Sequence, residues 1–202
     1  MRAYSPSEIL KKQYETLQWN DQLTEAFSNP ETSGVWFVWG NSGNGKTNFM
    51  LQVAAALAQS MKVFYNSLEE GAGLTMQNTI RRTDLSGTEG NLQFGRESLA
   101  QLEKRLEKRR APQVIIIDSF QHAQLTYGQY LAFCERHSDK LIIFVSHASG
   151  KQPSGRTASS VKYDADLKIW VEGFRAFSHG RYNPGGVYTI WEEGAQKYWG
   201  EE

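Results

Sequence analysis

The stretch Gly40-Asn41-Ser42-Gly43-Asn44-Gly45-Lys46-Thr47 decides the fold class of this chain. An apolar run at residues 35–39 precedes it and an alanine-rich run at residues 48–59 follows, which predicts a strand, a tight loop and a helix. Glycines let successive backbone N–H groups surround an anion without Cβ clashes, and the helix directs its positive end at the same point. These residues match the P-loop pattern, so we expect all eight to bind nucleotide phosphates. Lys46 then pairs with phosphate oxygens, and the Thr47 hydroxyl is a ligand of Mg²⁺.

A second candidate site residue ends a run of β-branched side chains. Residues 114–117 are Val-Ile-Ile-Ile, typical of a strand buried on both faces of a parallel sheet, and Asp118 follows directly. We expect this strand to lie beside the P-loop strand, so that the Asp118 carboxylate joins Thr47 at the magnesium ion. The alternative is an aspartate that only caps a turn.

Two carboxylates end a third predicted strand, at residues 62–65. Glu69 and Glu70 both follow Asn66-Ser67-Leu68. Hydrolysis of a phosphoanhydride needs a group that orients the attacking water, and a glutamate at the carboxyl end of a neighbouring strand suits that role. We favour Glu69, while either residue could instead be an acid at a helix N-terminus.

The alternation of strands and helices predicts a three-layer α/β fold with a mostly parallel sheet. We expect a helical segment at residues 1–33, helical over 7–28, followed by the core domain at residues 34–202. Further strands are predicted at residues 92–94, 141–145, 167–171 and 187–191, further helices at 74–82, 98–110 and 129–136, and a polar loop at 150–162.

Composition narrows the classes of function. The 202 residues contain 22 Lys plus Arg and 22 Asp plus Glu, so any nucleic-acid contact must come from local basic loops rather than from a basic surface. A single cysteine, Cys134, excludes an intrachain disulfide. The sequence shows neither an apolar signal region nor the ~20 apolar residues of a membrane helix, which predicts a cytoplasmic protein without a membrane partner.

Five short motifs resemble those of the RecA/RadA/DnaB superfamily of P-loop ATPases and occur in that family's order, across residues 34–193. They are Ser67-Leu68-Glu69, Ile117-Asp118-Ser119-Phe120-Gln121, Val145-Ser146-His147-Ala148-Ser149, Asp164-Ala165-Asp166 with the strand that follows it, and His179-Gly180-Arg181-Tyr182-Asn183. The motifs are similar above all to those of the RadA branch. RadA's zinc finger and protease-like tail and DnaB's N-terminal collar have no counterpart, so the resemblance is to the bare core.

The resemblance implies a RecA-like ATPase that binds ATP and Mg²⁺ and forms a homo-oligomeric ring or filament. It implies that Glu69 is the catalytic glutamate, acting with Lys46, that His147 senses the γ-phosphate, and that Arg181 is an arginine finger for the adjacent subunit. His179 stands where the family has a lysine, which weakens the paired cationic finger. From the residues alone, His147 could be a buried structural histidine, and Arg181 an ordinary exposed loop arginine.

In this family the loops after the second and third motifs face single-stranded DNA, and here they are residues 120–128 and 150–162. Lys151, Arg156 and Lys162 are the candidate DNA contacts, with a plain surface loop as the alternative. The leading interpretation is ATP hydrolysis coupled to DNA, as a minimal recombinase or helicase-type motor. A nucleotide-gated assembly or loading factor is the alternative. A small-molecule kinase is disfavoured because no arginine-rich lid lies between Asp118 and Leu141.

Overall fold

The computed structural model describes residues 2–182 and 185–200, and strands and helices alternate along them. The strands are β1 (Gly34–Gly40), β2 (Val63–Ser67), β3 (Leu92–Gly95), β4 (Val114–Asp118), β5 (Leu141–Ser149), β6 (Gln152–Pro153), β7 (Leu167–Glu172), β8 (Arg175–Gly180) and β9 (Gly186–Thr189). The helices are α1 (Pro6–Leu10), α2 (Asp21–Phe27), α3 (Lys46–Ala58), α4 (Leu74–Arg82), α5 (Leu99–Leu106), α6 (Phe120–Ala123), α7 (Tyr127–Arg136), α8 (Arg156–Asp164) and α9 (Glu192–Trp199).

The strands form one sheet in the order β3-β2-β4-β5-β1-β7-β8-β9, with β6 paired to β5. Every pair from β3 to β7 along this order is parallel, whereas β8 and β9 are antiparallel. The predicted α/β fold with a mostly parallel sheet is confirmed. The prediction that the strand of Asp118 lies beside the P-loop strand is wrong, because β5 pairs with both β1 and β4 and separates them.

Alternating side chains of β1 supply both faces of the sheet. Trp36 and Val38 belong to one buried cluster, which α2 and α3 complete, while Phe37 and Trp39 belong to a second cluster, completed by α5, α7 and α8. All four side chains are nearly inaccessible to solvent. A strand with both faces covered in this way is the centre of a three-layer arrangement.

The helix predicted over residues 7–28 is interrupted. Residues 11–20 leave the helical conformation, and Thr16 forms a β-bridge with Glu31. The Leu17 N–H donates to the Pro30 carbonyl at 2.8 Å. This backbone group, which a helix would pair with a residue four positions earlier, is thus paired with a residue further along the chain. The result is a largely exposed stretch up to Thr16, followed by α2, which packs on the core.

The prediction of a loop at residues 150–162 is wrong for most of that range. Residues 152–153 form β6, and α8 begins at Arg156, because Ala158 and Val161 bury one face of that helix against the sheet. The segment at 120–128 likewise contains α6 and the start of α7. β8 was missed, although Ala176 and Ser178 alternate with less buried neighbours as an amphipathic strand requires.

No helix within residues 2–182 and 185–200 combines the length and the apolar character needed to cross a bilayer.

The packing of α2 generates a stability prediction. Leu23 is 2% exposed in the core, whereas Leu10 on α1 is 86% exposed, so Leu23→Ala and Leu10→Ala delete the same atoms in opposite environments. We expect Leu23→Ala to lower the free energy of unfolding by about 2–5 kcal/mol and Leu10→Ala by less than about 0.5 kcal/mol. Urea denaturation followed by circular dichroism measures both. Equal losses would mean that α2 does not belong to the core.

Candidate nucleotide-binding site

The P-loop forms the turn from β1 into α3. Gly43 and Gly45 have φ angles of +77° and +95°, in the left-handed region that favours glycine. Gly45 is the N-cap of α3 and no side chain caps that end of the helix. The first amides of α3 are therefore free to donate to an anion, as the sequence predicts.

Two asparagines hold the loop against neighbouring turns. Asn44 accepts a hydrogen bond from the Gly173 N–H through Oδ1 at 2.8 Å, which ties the loop to the β7–β8 turn. The Asn41 side chain donates to the Gly150 carbonyl at 3.1 Å, which ties it to the β5–β6 turn. Phe174, next to Gly173, has a φ of +58° and lies against Gly45. The P-loop pattern assigned these asparagines to phosphate binding and gave no indication of the tethers, which depend on distant parts of the chain.

A cleft of about 260 Å³ opens above the loop. It is lined by Ser42, Gly43, Gly45, Lys46, Thr47, Asn48, Glu69, Glu70, Asp118, His147 and Phe174. The structure thus brings together five of the eight predicted P-loop residues and the predicted magnesium and catalytic residues, whereas Arg181 and the P-loop residues Gly40, Asn41 and Asn44 do not line the cleft. Phe174 also lines the cleft and was not predicted from the sequence. It lies in the turn between β7 and β8, which matches no motif and is brought to the cleft by the pairing of those strands.

Lys46 and Asp118 carry the buried charges of the cleft. Lys46 Nζ donates to the Asn41 carbonyl at 2.9 Å, and burial lowers the pKa of this lysine, opposed by the nearby Asp118 and Glu69 carboxylates. Burial raises the pKa of Asp118, opposed by the hydrogen bond that the Tyr65 hydroxyl donates to Oδ2 at 2.6 Å. Tyr65, on β2, was missed because only the sheet order brings it beside β4.

Glu69 and Glu70 both reach the cleft but differ in their contacts. Glu69 Oε2 lies 3.1 Å from His147 Nε2. Glu70 Oε2 is buried and has no hydrogen-bond partner among the described residues. The side chain of His147 is one-third exposed, so it is a cleft-facing histidine rather than a fully buried one.

Gln121 holds the backbone of His147. Its Oε1 accepts from the His147 N–H at 3.1 Å, and its Nε2 donates to Ser146 Oγ at 2.8 Å and to the Ser154 carbonyl at 2.9 Å. The family motif included Gln121, but its bracing role depends on the pairing of β4 with β5.

Ser119 lies between two histidines. Its Oγ is 2.8 Å from His122 Nδ1 and 3.3 Å from His147 Nε2. No sequence pattern indicated His122, because 24 residues of intervening helix and strand separate it from His147.

Arg181 lies far from the P-loop of its own chain. Its Nη1 donates to Asp166 Oδ1 at 2.7 Å, and Asp166 also accepts from the Val35 N–H, at the beginning of β1. The P-loop begins at Gly40, where β1 ends, five residues beyond Val35, which at about 3.3 Å per residue is roughly 17 Å away. His179 is exposed on β8, and Asn183 of the same motif lies outside the described residues.

The three candidate DNA contacts are not equivalent. Lys151 and Lys162 line a second concavity, of about 490 Å³, on the face of the sheet opposite α3, whereas the exposed Arg156 is not among its lining residues. Lys162 Nζ lies 4.5 Å from the centre of the Trp39 ring, and burial lowers the pKa of this lysine. Lys168 also lines the concavity, which is completed by Trp39, Trp170, Glu172, Phe177, His179 and Trp199.

The donor set of the cleft fits a magnesium-bound nucleotide. The Thr47 hydroxyl and the Asp118 carboxylate are oxygen ligands, which Mg²⁺ prefers. The uncapped start of α3 offers amide donors to phosphate oxygens, and Lys46 offers a cation.

Comparisons with known proteins agree with this geometry at the level of the fold. No protein-family model and no curated protein sequence matches the chain. Among solved structures, the flagellar accessory protein FlaH from Methanocaldococcus jannaschii is 18% identical, with a TM-score of 0.60 over 87% of this chain and 94% of that one. A KaiC-like protein from Pyrococcus horikoshii OT3 is 15% identical, with a TM-score of 0.63 over 87% and 99%. An ATP synthase subunit, NeqB, from Nanoarcheaum equitans is 8% identical, with a TM-score of 0.60 over 93% and 61%. Identities this low establish a shared fold only, and the chain has the fold of the RecA-like P-loop ATPases.

Proposed function

We propose that this protein is a Mg²⁺-dependent ATPase whose catalytic unit is residues 34–202. The observation that carries the proposal is the convergence of the P-loop, Asp118, Glu69 and His147 in one cleft. Each comes from a different strand end, and hydrolysis of a nucleoside triphosphate requires all of their chemistries at one place. Residues 1–33 add a helical segment, of which α2 is packed into the core.

The cleft residues divide the work of hydrolysis. Thr47 and Asp118 would hold a magnesium ion, which would supply positive charge against the phosphates. Lys46 pairs with the same phosphates. Glu69 orients a water and accepts its proton as the water oxygen attacks the γ-phosphorus and the bond to the bridging oxygen breaks, releasing ADP and phosphate. The contact between His147 and Glu69 supports a role for His147 in linking the γ-phosphate to the position of that base.

This assignment predicts different defects for two cleft variants. Lys46→Ala removes the cation of the phosphate cradle, so ATP affinity should fall by about 2 kcal/mol or more. Glu69→Gln keeps the shape of the side chain and loses the base, so ATP and Mg²⁺ should still bind while turnover falls by about 10²–10⁴-fold. Titration calorimetry measures binding, and phosphate release measures turnover.

Glu70→Gln is the matched control for Glu69→Gln, with the same isosteric change one residue away, and its effect on turnover should be far milder. The opposite ranking would transfer the base to Glu70. Near-normal hydrolysis by Lys46→Ala would contradict the proposal as a whole.

We also propose that the protein acts as a homo-oligomer, a ring or a filament, in which Arg181 serves the nucleotide of a neighbouring subunit. Arg181 lies near the amino end of β1, whereas the P-loop follows its carboxyl end. Any action of Arg181 on ATP therefore has to occur on the nucleotide of another subunit. Its ion pair with Asp166 is exposed, and such pairs are weak enough to exchange.

If Arg181 completes a neighbour's site, specific activity should rise with protein concentration, and Arg181→Ala should flatten that rise at unchanged ATP affinity. With His179 as its companion, the loss should be smaller than the ~10³-fold typical of arginine fingers. Arg109→Ala, which removes another exposed arginine, is the control. Turnover independent of concentration from nanomolar to micromolar protein would exclude action in trans.

We further propose that ATP hydrolysis is coupled to the binding of single-stranded DNA. Lys151, Lys162 and Lys168 surround a concavity that the exposed Trp199 also lines. Cations beside aromatic rings suit a phosphate backbone with stacked bases. The tether from Asn41 to Gly150 connects the P-loop to the turn that carries Lys151, which provides a route for coupling.

Three phosphate contacts imply a slope of log affinity against log salt of roughly −2 for single strands. Removing two of them, in Lys151→Gln/Lys168→Gln, should reduce the slope to roughly −0.7 and abolish any stimulation of turnover by oligothymidylate. Lys104→Gln/Lys108→Gln, on and just after α5, is the matched control. Fluorescence anisotropy across a salt series measures the slope. No binding and no stimulation in the wild type would favour the alternative, a nucleotide-gated assembly or loading factor.

A further inference from the structure

Glu69 and His147 form a cluster with His122, a residue that the proposed ATP hydrolysis does not use. One ligand atom from each of the three lies within 4.8 Å of the others. Within the cluster, Glu69 Oε2 and His147 Nε2 are 3.1 Å apart. Glu69 and His122 are exposed and His147 is half-buried, so the cluster is accessible from solvent.

The sheet order explains why these residues meet. Glu69 follows β2, His122 lies on α6 directly after β4, and His147 lies on β5. Because β2, β4 and β5 are consecutive and parallel in the sheet, their carboxyl ends deliver the three side chains to one point. Each ligand is therefore held by a separate strand, which limits how far the cluster can spread.

The chemistry of the donors points to a particular class of ion. Two imidazoles and one carboxylate are the ligands of many zinc sites, whereas Mg²⁺ prefers oxygen ligands alone. With metal–ligand distances of about 2.0–2.1 Å, the edge of a tetrahedral site is about 3.3 Å. The 3.1 Å separation between Glu69 and His147 is close to that edge. Three protein ligands leave the fourth position for water or another oxygen donor.

The surroundings of the cluster supply both outer contacts and charge. Ser119 Oγ contacts His122 at Nδ1, which leaves Nε2 of that ring for the ion, and Gln121 fixes the backbone of His147, as outer partners orient ligands in metal sites. The longer contact of Ser119 Oγ with His147 Nε2, at 3.3 Å, is lost when that nitrogen binds the ion. The cleft also holds two further carboxylates, Glu70 and Asp118, against the single ammonium of Lys46. This excess of negative charge favours a divalent cation.

We propose that Glu69, His122 and His147 bind a divalent transition-metal ion of the zinc class, and that the bound ion arrests ATP hydrolysis by engaging the Glu69 carboxylate. The regulatory half rests on the proposed ATPase, because it requires Glu69 to be the base. The binding half does not, since it follows from the cluster alone. Metal and catalysis compete for the same carboxylate, so bound metal and turnover exclude one another.

The binding half is tested without nucleotide. Isothermal titration of the full chain with Zn²⁺ should show one site, and Co²⁺ in its place should give the visible absorption of a tetrahedral nitrogen and oxygen site. His122→Ala should weaken Zn²⁺ affinity by at least about tenfold and remove the Co²⁺ band. His179→Ala, which removes an exposed histidine outside the cluster, should bind as the wild type does.

Absence of Zn²⁺ binding by the wild type, or equal binding by wild type and His122→Ala, would overturn the proposal. Circular dichroism of each variant shows that the fold is retained. If His122→Ala does not fold, His122→Gln replaces it in the same comparison, because the amide keeps a polar side chain there.

The regulatory half is tested in Mg²⁺-ATP with a Zn²⁺ series. Zinc should inhibit the wild type and Lys104→Gln, a variant of an exposed α5 residue outside the cleft and the cluster, at the same concentration, and inhibit His122→Ala only at a concentration at least about tenfold higher. His122 does not line the nucleotide cleft, so its variant should keep its activity without zinc. Equal inhibition of all three proteins would contradict regulation through the cluster. An inactive wild type that still binds Zn²⁺ through His122 would instead refute the proposed ATPase and leave the metal site standing.

Discussion

The positions of the candidate site residues depend on four parallel strands whose carboxyl ends lie side by side. In the order β2-β4-β5-β1, the carboxyl ends deliver Glu69, Asp118, His147 and the P-loop side by side. Strands in a sheet are spaced by about 4.8 Å, so neighbouring ends bring side chains within bonding reach. Because β5 is inserted between β1 and β4, the end of the strand that carries His147 lies between the P-loop and the Asp118 carboxylate.

Burial then sets the electrostatics of this edge. Lys46 and Asp118 are both withdrawn from solvent, and burial shifts the pKa of each toward its neutral form, lower for the lysine and higher for the aspartate. The attraction between Lys46 and Asp118 opposes both pKa shifts, and the hydrogen bond from Tyr65 opposes the shift of Asp118. A magnesium-bound phosphate would complement both side chains, because its phosphate oxygens carry negative charge for the lysine and its cation carries positive charge for the aspartate.

Hydrogen bonds also connect the P-loop and the residue before it to two distant turns. Asn44 joins it to the β7–β8 turn and Asn41 joins it to the β5–β6 turn, while Trp39, one residue before the loop, donates to the Lys151 carbonyl at 3.1 Å. The nucleotide cleft and the lysine-lined concavity on the other face of the sheet are therefore connected through few bonds. A change in the loop on nucleotide binding has a direct path to the opposite face.

The sequence by itself determined the α/β class, the P-loop and the strand-ending acids, because each is written in local spacing: a glycine pattern, a β-branched run and a carboxylate at its end. It did not determine the neighbours of those strands, and the expectation that β4 lies beside β1 was wrong for that reason. Helix α8 was likewise hidden in a polar stretch, since its burial depends on the sheet beneath it. The cluster of Glu69, His122 and His147, the tether of Tyr65 to Asp118 and the opposite position of Arg181 were decided only by the tertiary structure. These contacts join residues that are distant along the chain. They depend on the order of the strands in the sheet, which no local sequence pattern predicts.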